Sequence, residues 1–233
     1  MKIALLGYGR MGKSIEAIAL ERKHSICLKV SDASSDYDFS NADVAIDFSI
    51  PSVAVRNIKK AFDAGVPVIS GTTGWLEHYN DILDYCKSKD GTFLYASNFS
   101  LGVNIFFEIN QRLSALMAKV DGYNTSIEEI HHTQKLDAPS GTAITLAEHI
   151  IANSHYKNWT LDSAKPDEIH IDAKRIENVP GTHEITYHSE IDSLSIKHTA
   201  HSRQGFAMGA VIAAEWIKDK KGVFSMKDVL NIG

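Results

Sequence analysis

Ile3-Ala4-Leu5-Leu6-Gly7-Tyr8-Gly9-Arg10-Met11-Gly12, followed by Ile15, Ile18 and Ala19 at helical spacing, decides the fold. An apolar run, a glycine-rich turn and an amphipathic helix in that order read as the first strand, turn and helix of a dinucleotide-binding half-sheet. The three glycines let the chain turn tightly, let backbone approach a pyrophosphate and let the helix pack on the strand, with its N-terminal amides facing phosphate. Asp32 follows Gly12 by 20 residues, at the end of the second apolar run, where a carboxylate binds a ribose hydroxyl. The candidate cofactor contacts of this region are therefore Gly7, Tyr8, Gly9, Arg10, Met11, Gly12 and Asp32. Asp32 favours NAD(H), whereas Arg10 is placed to reach a 2′-phosphate, so the choice between NADH and NADPH stays open.

Outward from this unit, Ile26 to Val30, Val44 to Phe48, Val66 to Ser70 and Thr92 to Tyr95 are further short apolar runs, separated by amphipathic stretches. That alternation predicts parallel strands with crossover helices. Pro51 opens a helix with Ala54, Ile58, Ala61 and Phe62 on one face, and Gly65 stops it before Pro67. The next helix carries Ile82, Leu83 and Cys86, while Ser31 to Ala42 has too little apolar periodicity for a helix and predicts a short connection. Gly71-Thr72-Thr73-Gly74 and Ala96-Ser97-Asn98-Phe99-Ser100 follow strand ends on the ligand-binding edge of such a sheet, which makes Gly71, Thr72, Thr73, Ala96, Ser97, Asn98 and Phe99 further cofactor candidates.

After Gly102 the pattern changes. Ile105, Phe106, Ile109, Leu113, Leu116, Met117 and Val120 form one long helical stripe, and Tyr123 to Ile130, Ile169 to Ile176, His183 to His188 and Leu194 to Thr199 read as extended. Three of these follow one another without an intervening helix, predicting a mixed or antiparallel sheet. Phe206 to Ile217 is again helical, with Ala210, Val211, Ala214 and Ile217 inward, and is expected to return to the first domain. The expected class is α/β: a Rossmann-type doubly wound parallel sheet in residues 1–102, completed by 206–233, with a second α+β domain in 103–205.

With 233 residues, 44% apolar and 23% charged, the chain has the composition of a globular protein with a substantial core. A net charge of -5 argues against a general affinity for nucleic acid or anionic membrane, so an anionic substrate must be held by local cations. The two cysteines, Cys27 on an apparent buried strand and Cys86 in a helix, have no CxxC spacing and read as reduced thiols. No apolar run is long enough to span a membrane and no signal-peptide layout precedes the first strand, which makes the cytoplasm the expected compartment.

The second domain carries His131-His132-Thr133-Gln134-Lys135-Leu136-Asp137-Ala138-Pro139-Ser140-Gly141-Thr142. A strand delivers the histidines, and a Pro-Ser-Gly-Thr turn opens a helix with Ile144, Ala147, Ile150 and Ile151 as its expected apolar face. Ser140 is placed as the cap, and Gly141 and Thr142 present backbone amides that suit a carboxylate. Lys135 adds a full positive charge, and a histidine can donate a proton as hydride arrives. Adjacent strand side chains face opposite ways, and no third ligand is spaced for zinc, so no metal is expected.

Taken together, Gly7 to Gly12, Gly-Thr-Thr-Gly at 71 to 74, Asn-Phe-Ser at 98 to 100, His131 to Thr142, Pro-Gly-Thr-His-Glu-Ile at 180 to 185 and Arg203 resemble the dihydrodipicolinate reductase family over essentially the whole chain. The resemblance implies hydride transfer from NADH or NADPH to a cyclic, imine-type dicarboxylate formed as a hydroxyl leaves as water, in lysine and diaminopimelate biosynthesis. It implies His131 and Lys135 as proton donors, His132, Lys135, Ser140, Gly141 and Thr142 as substrate contacts, and Arg203 as a second anion anchor. It also implies a homotetramer built through the second domain's sheet. Closure about hinges near 100–103 and 203–206 is expected to accompany turnover.

Two other readings compete. One is another Rossmann-type oxidoreductase: a semialdehyde dehydrogenase needs a nucleophilic cysteine at the site, for which neither Cys27 nor Cys86 is placed, and homoserine dehydrogenase chemistry does not explain the paired histidines with Lys135 and Ser-Gly-Thr. A non-catalytic redox sensor has no reason to gather a proton donor, an ammonium and a carboxylate-binding helix start in one segment.

Overall fold

The computed structural model describes residues 1–31 and 36–232, so Asp32 lies outside the described residues. The chain divides into two compact units, Met1–Leu101 with Gln204–Gly233, and Gly102–Arg203.

The first unit holds β1 (Lys2–Leu6), α1 (Arg10–Glu21), β2 (Ser25–Val30), β3 (Val44–Asp47), α2 (Pro51–Asp63), β4 (Val68–Ser70), α3 (Tyr79–Ser88) and β5 (Thr92–Tyr95), and is completed by α6 (Gln204–Ile217), β11 (Gly222–Phe224) and α7 (Met226–Leu230). Its six strands form one parallel sheet in the order β11-β5-β4-β3-β1-β2. The chain leaves β2 on one side of β1 and enters β3 on the other, so the switch point at which such sheets bind ligands lies between the ends of β1 and β3.

Successive strand residues feed opposite faces: Ile3 and Leu5 join a core with Ile15, Ile18, Ala210, Val211 and Ala214, while Ala4 and Leu6 join another with Ala54, Ile58, Phe62, Trp75 and Ile82. Burial on both faces is why these runs read as continuously apolar rather than alternating. The predicted strands and helices of this unit are all present, and α6 buries Ala210, Val211, Ala214 and Ile217 as expected. Gly65, at φ 68, ends α2 in the left-handed region. Between β2 and β3 there is no helix among the described residues.

Corrections to the expected reading are local. Strand β11 and helix α7 were not predicted; they are three and five residues long, too short to show a period. Cys27 is exposed, because β2 is an edge strand with alternating burial, whereas Cys86 is buried. Burial in the partly covered sheet edge pushes the Cys27 thiol up, away from the reactive thiolate.

The second unit comprises nearly all of α4 (Leu101–Met117), then β6 (Asn124–His131), α5 (Gly141–Ile151), β7 (Asn158–Thr160), β8 (Glu168–Arg175), β9 (Gly181–His188) and β10 (Ser193–Ala200). The sheet order is β10-β9-β6-β8-β7, with β9 antiparallel to β6 and β10, and β8 parallel to β6 and β7. The sheet is thus mixed. One face buries Ile127, Ile169, Ile171, Ile185 and Tyr187 against Phe106, Ala143, Leu146, Ala147 and Ile150.

Two predicted faces are rotated. Helix α5 buries Ala143, Leu146, Ala147 and Ile150, leaving Ile144 and Ile151 half-exposed, because it carries more apolar residues than one face can bury and packing against the sheet selects among them. Helix α4 ends at Met117 and turns Val103, Phe106, Asn110 and Ser114 inward, while Ile105, Ile109 and Leu116 are exposed. The inward amide of Asn110 donates to Leu146 O at 3.0 Å, a role that apolar periodicity cannot reveal. Strand β7 was also missed, again for its length of three residues. No helix among the described residues is long and apolar enough to cross a membrane.

Candidate active site

The turn after β1 is built by close approach. Gly7 has φ +96, and a Cβ there would lie 2.1 Å from Phe48 O; a Cβ on Gly12 would lie 2.3 Å from Gly7 O. Nothing lies within 4 Å of the same point on Gly9. Gly7 and Gly12 are therefore needed by the protein's own packing, and Gly9 leaves open space at the start of α1. Gly9 is the N-cap and makes no side-chain bond to the first turn, which leaves the helix start available to an anion. A cleft of about 280 Å³ opens here, lined by Gly7, Tyr8, Gly9, Val30, Ser31, Phe48, Ser49, Ile50, Val53, Arg56 and Asn57. A glycine cradle and a cleft at the switch point fit a dinucleotide.

Of the other expected cofactor contacts, Arg10, Thr73 and Ser97 are exposed and Met11, Gly71, Ala96 and Asn98 half-buried. Tyr8 hydrogen-bonds Glu16, which also pairs with Lys29 at 2.6 Å. The Thr72 side chain is turned inward: its hydroxyl donates to Asp47 Oδ2 at 2.7 Å and accepts from Ser49 N at 2.9 Å. Phe99 is 1% exposed and lies 5.6 Å from Phe48 between ring centroids, so it packs the core.

Asp47, buried at the end of β3, ties this edge together, accepting also from Ser49 Oγ, Asn57 Nδ2 and Ser70 Oγ at 2.7, 3.2 and 3.0 Å. Burial pushes its carboxyl up, against the four donors. Neither Asp47 nor Arg56 stood out in the sequence. An aspartate ending an apolar strand was a signal for the former, and only the folded cleft reveals the latter.

In the second unit, β6 presents Thr125, Ile127, Glu129 and His131 inward. His131 is 9% exposed, with Nδ1 lying 3.6 Å from Glu129 Oε2. His132, beyond the strand, is half-exposed, and its Nε2 lies 3.4 Å from Arg203 Nη2. Both line a cleft of about 310 Å³ with Thr133, Gln134, Asn178 and Pro180. The Lys135 ammonium contacts both Asp137 oxygens, at 2.9 and 2.7 Å. Ser140 is buried and caps α5, accepting from Ala143 N at 3.2 Å. Gly141 is exposed with open space beside it, and Thr142 is half-buried.

Beneath this segment lie three residues given no role from the sequence, Glu129, Arg175 and His183, although His183 falls within the motif at 180 to 185. The available signal was a charged side chain two positions before His131, at an inward position of an alternating strand. Burial pushes the Glu129 carboxyl up, but His183, the hydroxyl and amide of Ser140 and the His131 charge hold it at about 2. For His131, burial and the charges of His183, Lys135 and Arg175 outweigh Glu129 and lower the imidazole to about 4.

Both displacements make stability fall with acidification. Between the ordinary histidine value of 6.5 and about 4, the unfolded chain takes a proton that folded His131 refuses; between 4.5 and about 2 the same holds for Glu129. Urea unfolding at pH 7 and pH 4.5 is expected to show a loss that His131→Gln reduces; the same pH dependence in the variant would refute the assignment.

Two family models match the chain, one described as dihydrodipicolinate reductase, N-terminus, over residues 1–99, the other as dihydrodipicolinate reductase, C-terminus, over residues 102–230. A 4-hydroxy-tetrahydrodipicolinate reductase from Christiangramia forsetii is 58% identical, covering 99% of this chain and 98% of its own. One from Methanococcoides burtonii is 35% identical, covering 94% and 85%. In structure, the dipicolinate-bound dihydrodipicolinate reductase from Paenisporosarcina sp. TG-14 superposes with a TM-score of 0.76 at 19% identity, over 97% of each chain, a likeness of fold.

Proposed function

The chain belongs to the dihydrodipicolinate reductase family, and on that premise we propose that residues 131–142 hold a cyclic dicarboxylate and protonate it, with Lys135 as the proton donor. The reaction is reduction of 4-hydroxy-tetrahydrodipicolinate to tetrahydrodipicolinate in lysine and diaminopimelate biosynthesis, with NADH or NADPH as reductant. The hydroxyl leaves as water, and the resulting unsaturated ring takes up one hydride and one proton. The bound dinucleotide supplies the hydride. The chain's own residues orient the ring, offset its charge and deliver the proton.

The observation that carries this reading is the capped start of α5, preceded in the same segment by the Lys135 ammonium that already holds a carboxylate, Asp137. Ser140 spends its hydroxyl on Ala143 N, while exposed Gly141 and the neighbouring Thr142 stand at the positive end of the helix. These amides and Lys135 take one carboxylate; His132 and Arg203, 3.4 Å apart across a common cleft, take the other. Charge complementarity of this kind is what a chain of net charge -5 needs to bind a dianion. The Lys135 ammonium already has a carboxylate partner in Asp137, which the substrate replaces.

His131 is assigned a supporting role. Burial and the charges of His183, Lys135 and Arg175 lower its imidazole to about 4, which disfavours the protonated form at neutral pH and leaves the Lys135 ammonium as the proposed proton source. The first unit's glycine turn, with Arg10, Thr73, Ser97 and Asn98 near the strand ends, holds the dinucleotide; Thr72 and Phe99 act by shaping that edge. A homotetramer through the second unit's sheet and a cytoplasmic location belong to the same proposal, the former supported by the exposure of β10.

Purified protein given freshly generated 4-hydroxy-tetrahydrodipicolinate is expected to oxidise NADH or NADPH, read as loss of absorbance, with dipicolinate inhibiting. Tight dinucleotide binding without turnover of that substrate would defeat the reading. The ratio of kcat/KM for the two cofactors decides their order of preference.

A further inference from the structure

Under the reacting segment, one carboxylate touches almost every group that matters. Glu129 is fully buried, and its two oxygens accept from Ser140 N at 3.2 and 3.0 Å. Oε1 also accepts from Arg175 Nη2 at 3.1 Å. Oε2 faces His131 Nδ1 at 3.6 Å and His183 Nε2 at 3.7 Å, ion-pair rather than hydrogen-bond separations. His183 Nε2 in turn lies 3.1 Å from Ser140 Oγ, the atom that caps α5. Arg175 continues the chain of contacts outward, donating to Asp137 O at 2.6 Å and Lys135 O at 3.3 Å.

We propose that Glu129 is a positioning residue for the reduction: its carboxylate holds the start of α5, the His131 and His183 imidazoles and, through Arg175, the loop bearing Lys135 in one arrangement. The inference rests on the reading of residues 131–142 as the reacting segment. Geometry favours it over two simpler roles. Glu129, His131 and His183 could offer ligand atoms within 4.8 Å of one another to a metal ion. Both Glu129 oxygens, however, already accept a backbone hydrogen bond, and the Arg175 guanidinium stands where a cation would be repelled. A buried ion pair serving stability alone has no need to grip two loop carbonyls, and such pairs are weak stabilisers.

The groups facing this carboxylate are His131 of β6, His183 of β9, Arg175 of β8, and Ser140 with Asp137 of the connecting segment. Removing the negative charge while keeping the shape, by Glu129→Gln, leaves three cationic or protonatable neighbours without their counterion. Misplacing reacting groups by about 1 Å costs on the order of 100-fold in rate.

Glu129→Gln is expected to lower kcat by about 10- to 100-fold and to weaken dipicolinate inhibition by a similar factor, with the dinucleotide Kd unchanged. It is also expected to speed amide hydrogen exchange in residues 132–142, measured with the variant shown to be folded by circular dichroism. Wild-type kcat, inhibition and exchange in the folded variant overturn the proposal, as does stoichiometric zinc binding by the parent protein that the variant loses. Where Glu129→Gln does not fold, Arg175→Lys carries the test, since it keeps a charge beside Glu129 but cannot bridge the Lys135 and Asp137 carbonyls; unchanged exchange and kcat there are equally fatal. A parent protein with no reductase activity sinks the functional reading instead, and dipicolinate binding and exchange still decide the role of Glu129.

Discussion

Lys135→Ala is expected to lower kcat by at least about 100-fold, the usual contribution of a positioned general acid, while the NADH or NADPH dissociation constant stays within error of the parent value. The ammonium carries two tasks in the proposed reaction, pairing with a substrate carboxylate and giving up a proton, so KM should rise as well. Its present partner, Asp137, accepts through both oxygens at 2.9 and 2.7 Å, which shows how a carboxylate is held there. Lys135→Arg separates the tasks. A guanidinium keeps the positive charge and the bidentate geometry but does not release its proton near neutral pH, so the arginine variant should recover dipicolinate affinity without recovering kcat. His131→Gln should cost less than Lys135→Ala, because a buried imidazole at about 4 is neutral throughout the working range. The reverse order would make His131 the donor. Full activity in Lys135→Ala would remove the proposed chemistry altogether.

The second large effect separates glycines that the motif treats alike. Gly12→Ala places a Cβ 2.3 Å from Gly7 O, a backbone atom that cannot step aside. Overpacking of this severity is expected to cost about 3 kcal/mol or more and to lower Tm, with dinucleotide affinity falling as the turn is pushed open. Gly9→Ala meets nothing within 4 Å, and Gly9 has φ -81, which any residue adopts. Its Tm should stay near the parent value while the dinucleotide Kd rises about tenfold or more, since the methyl occupies the space in front of the helix start that a phosphate needs. Thermal unfolding without ligand and fluorescence titration with NADH and NADPH read the two quantities separately. Equal losses of stability in both variants, or an unchanged Kd for Gly9→Ala, would contradict the assignment of open space to the ligand.

These expectations draw unequally on sequence and structure. The strand, glycine turn and helix at 3–19 were legible because strand burial on both faces, the demand for residues without Cβ and helical periodicity are all local patterns. The same holds for Pro51 and Gly65 bounding α2, and for Ser140 capping α5. The segment proposed to react could be marked out in the sequence because its groups lie within twelve consecutive residues. Short elements escaped: β7, β11 and α7 span three, three and five residues, less than two periods of any helix and too little of any strand. The faces of α4 and α5 were misphased because both helices carry more apolar residues than one face can bury, and only contact with a sheet selects among them.

What lies beneath the site belongs to tertiary structure alone. By itself the sequence determined the class of fold and the glycine turn, and it marked His131 to Thr142 as the candidate segment, since each is written in neighbouring residues. Thr72 pointing to Asp47 rather than outward, Arg56 lining the cleft, and Glu129 meeting Arg175 and His183 depend on residues 25 to 54 positions apart in sequence or on a helix crossing behind them. For Glu129 the physical reason is sheet pairing, since parallel β8 and antiparallel β9 flank β6, and their register sets Arg175 beside His131 and His183 beside Glu129.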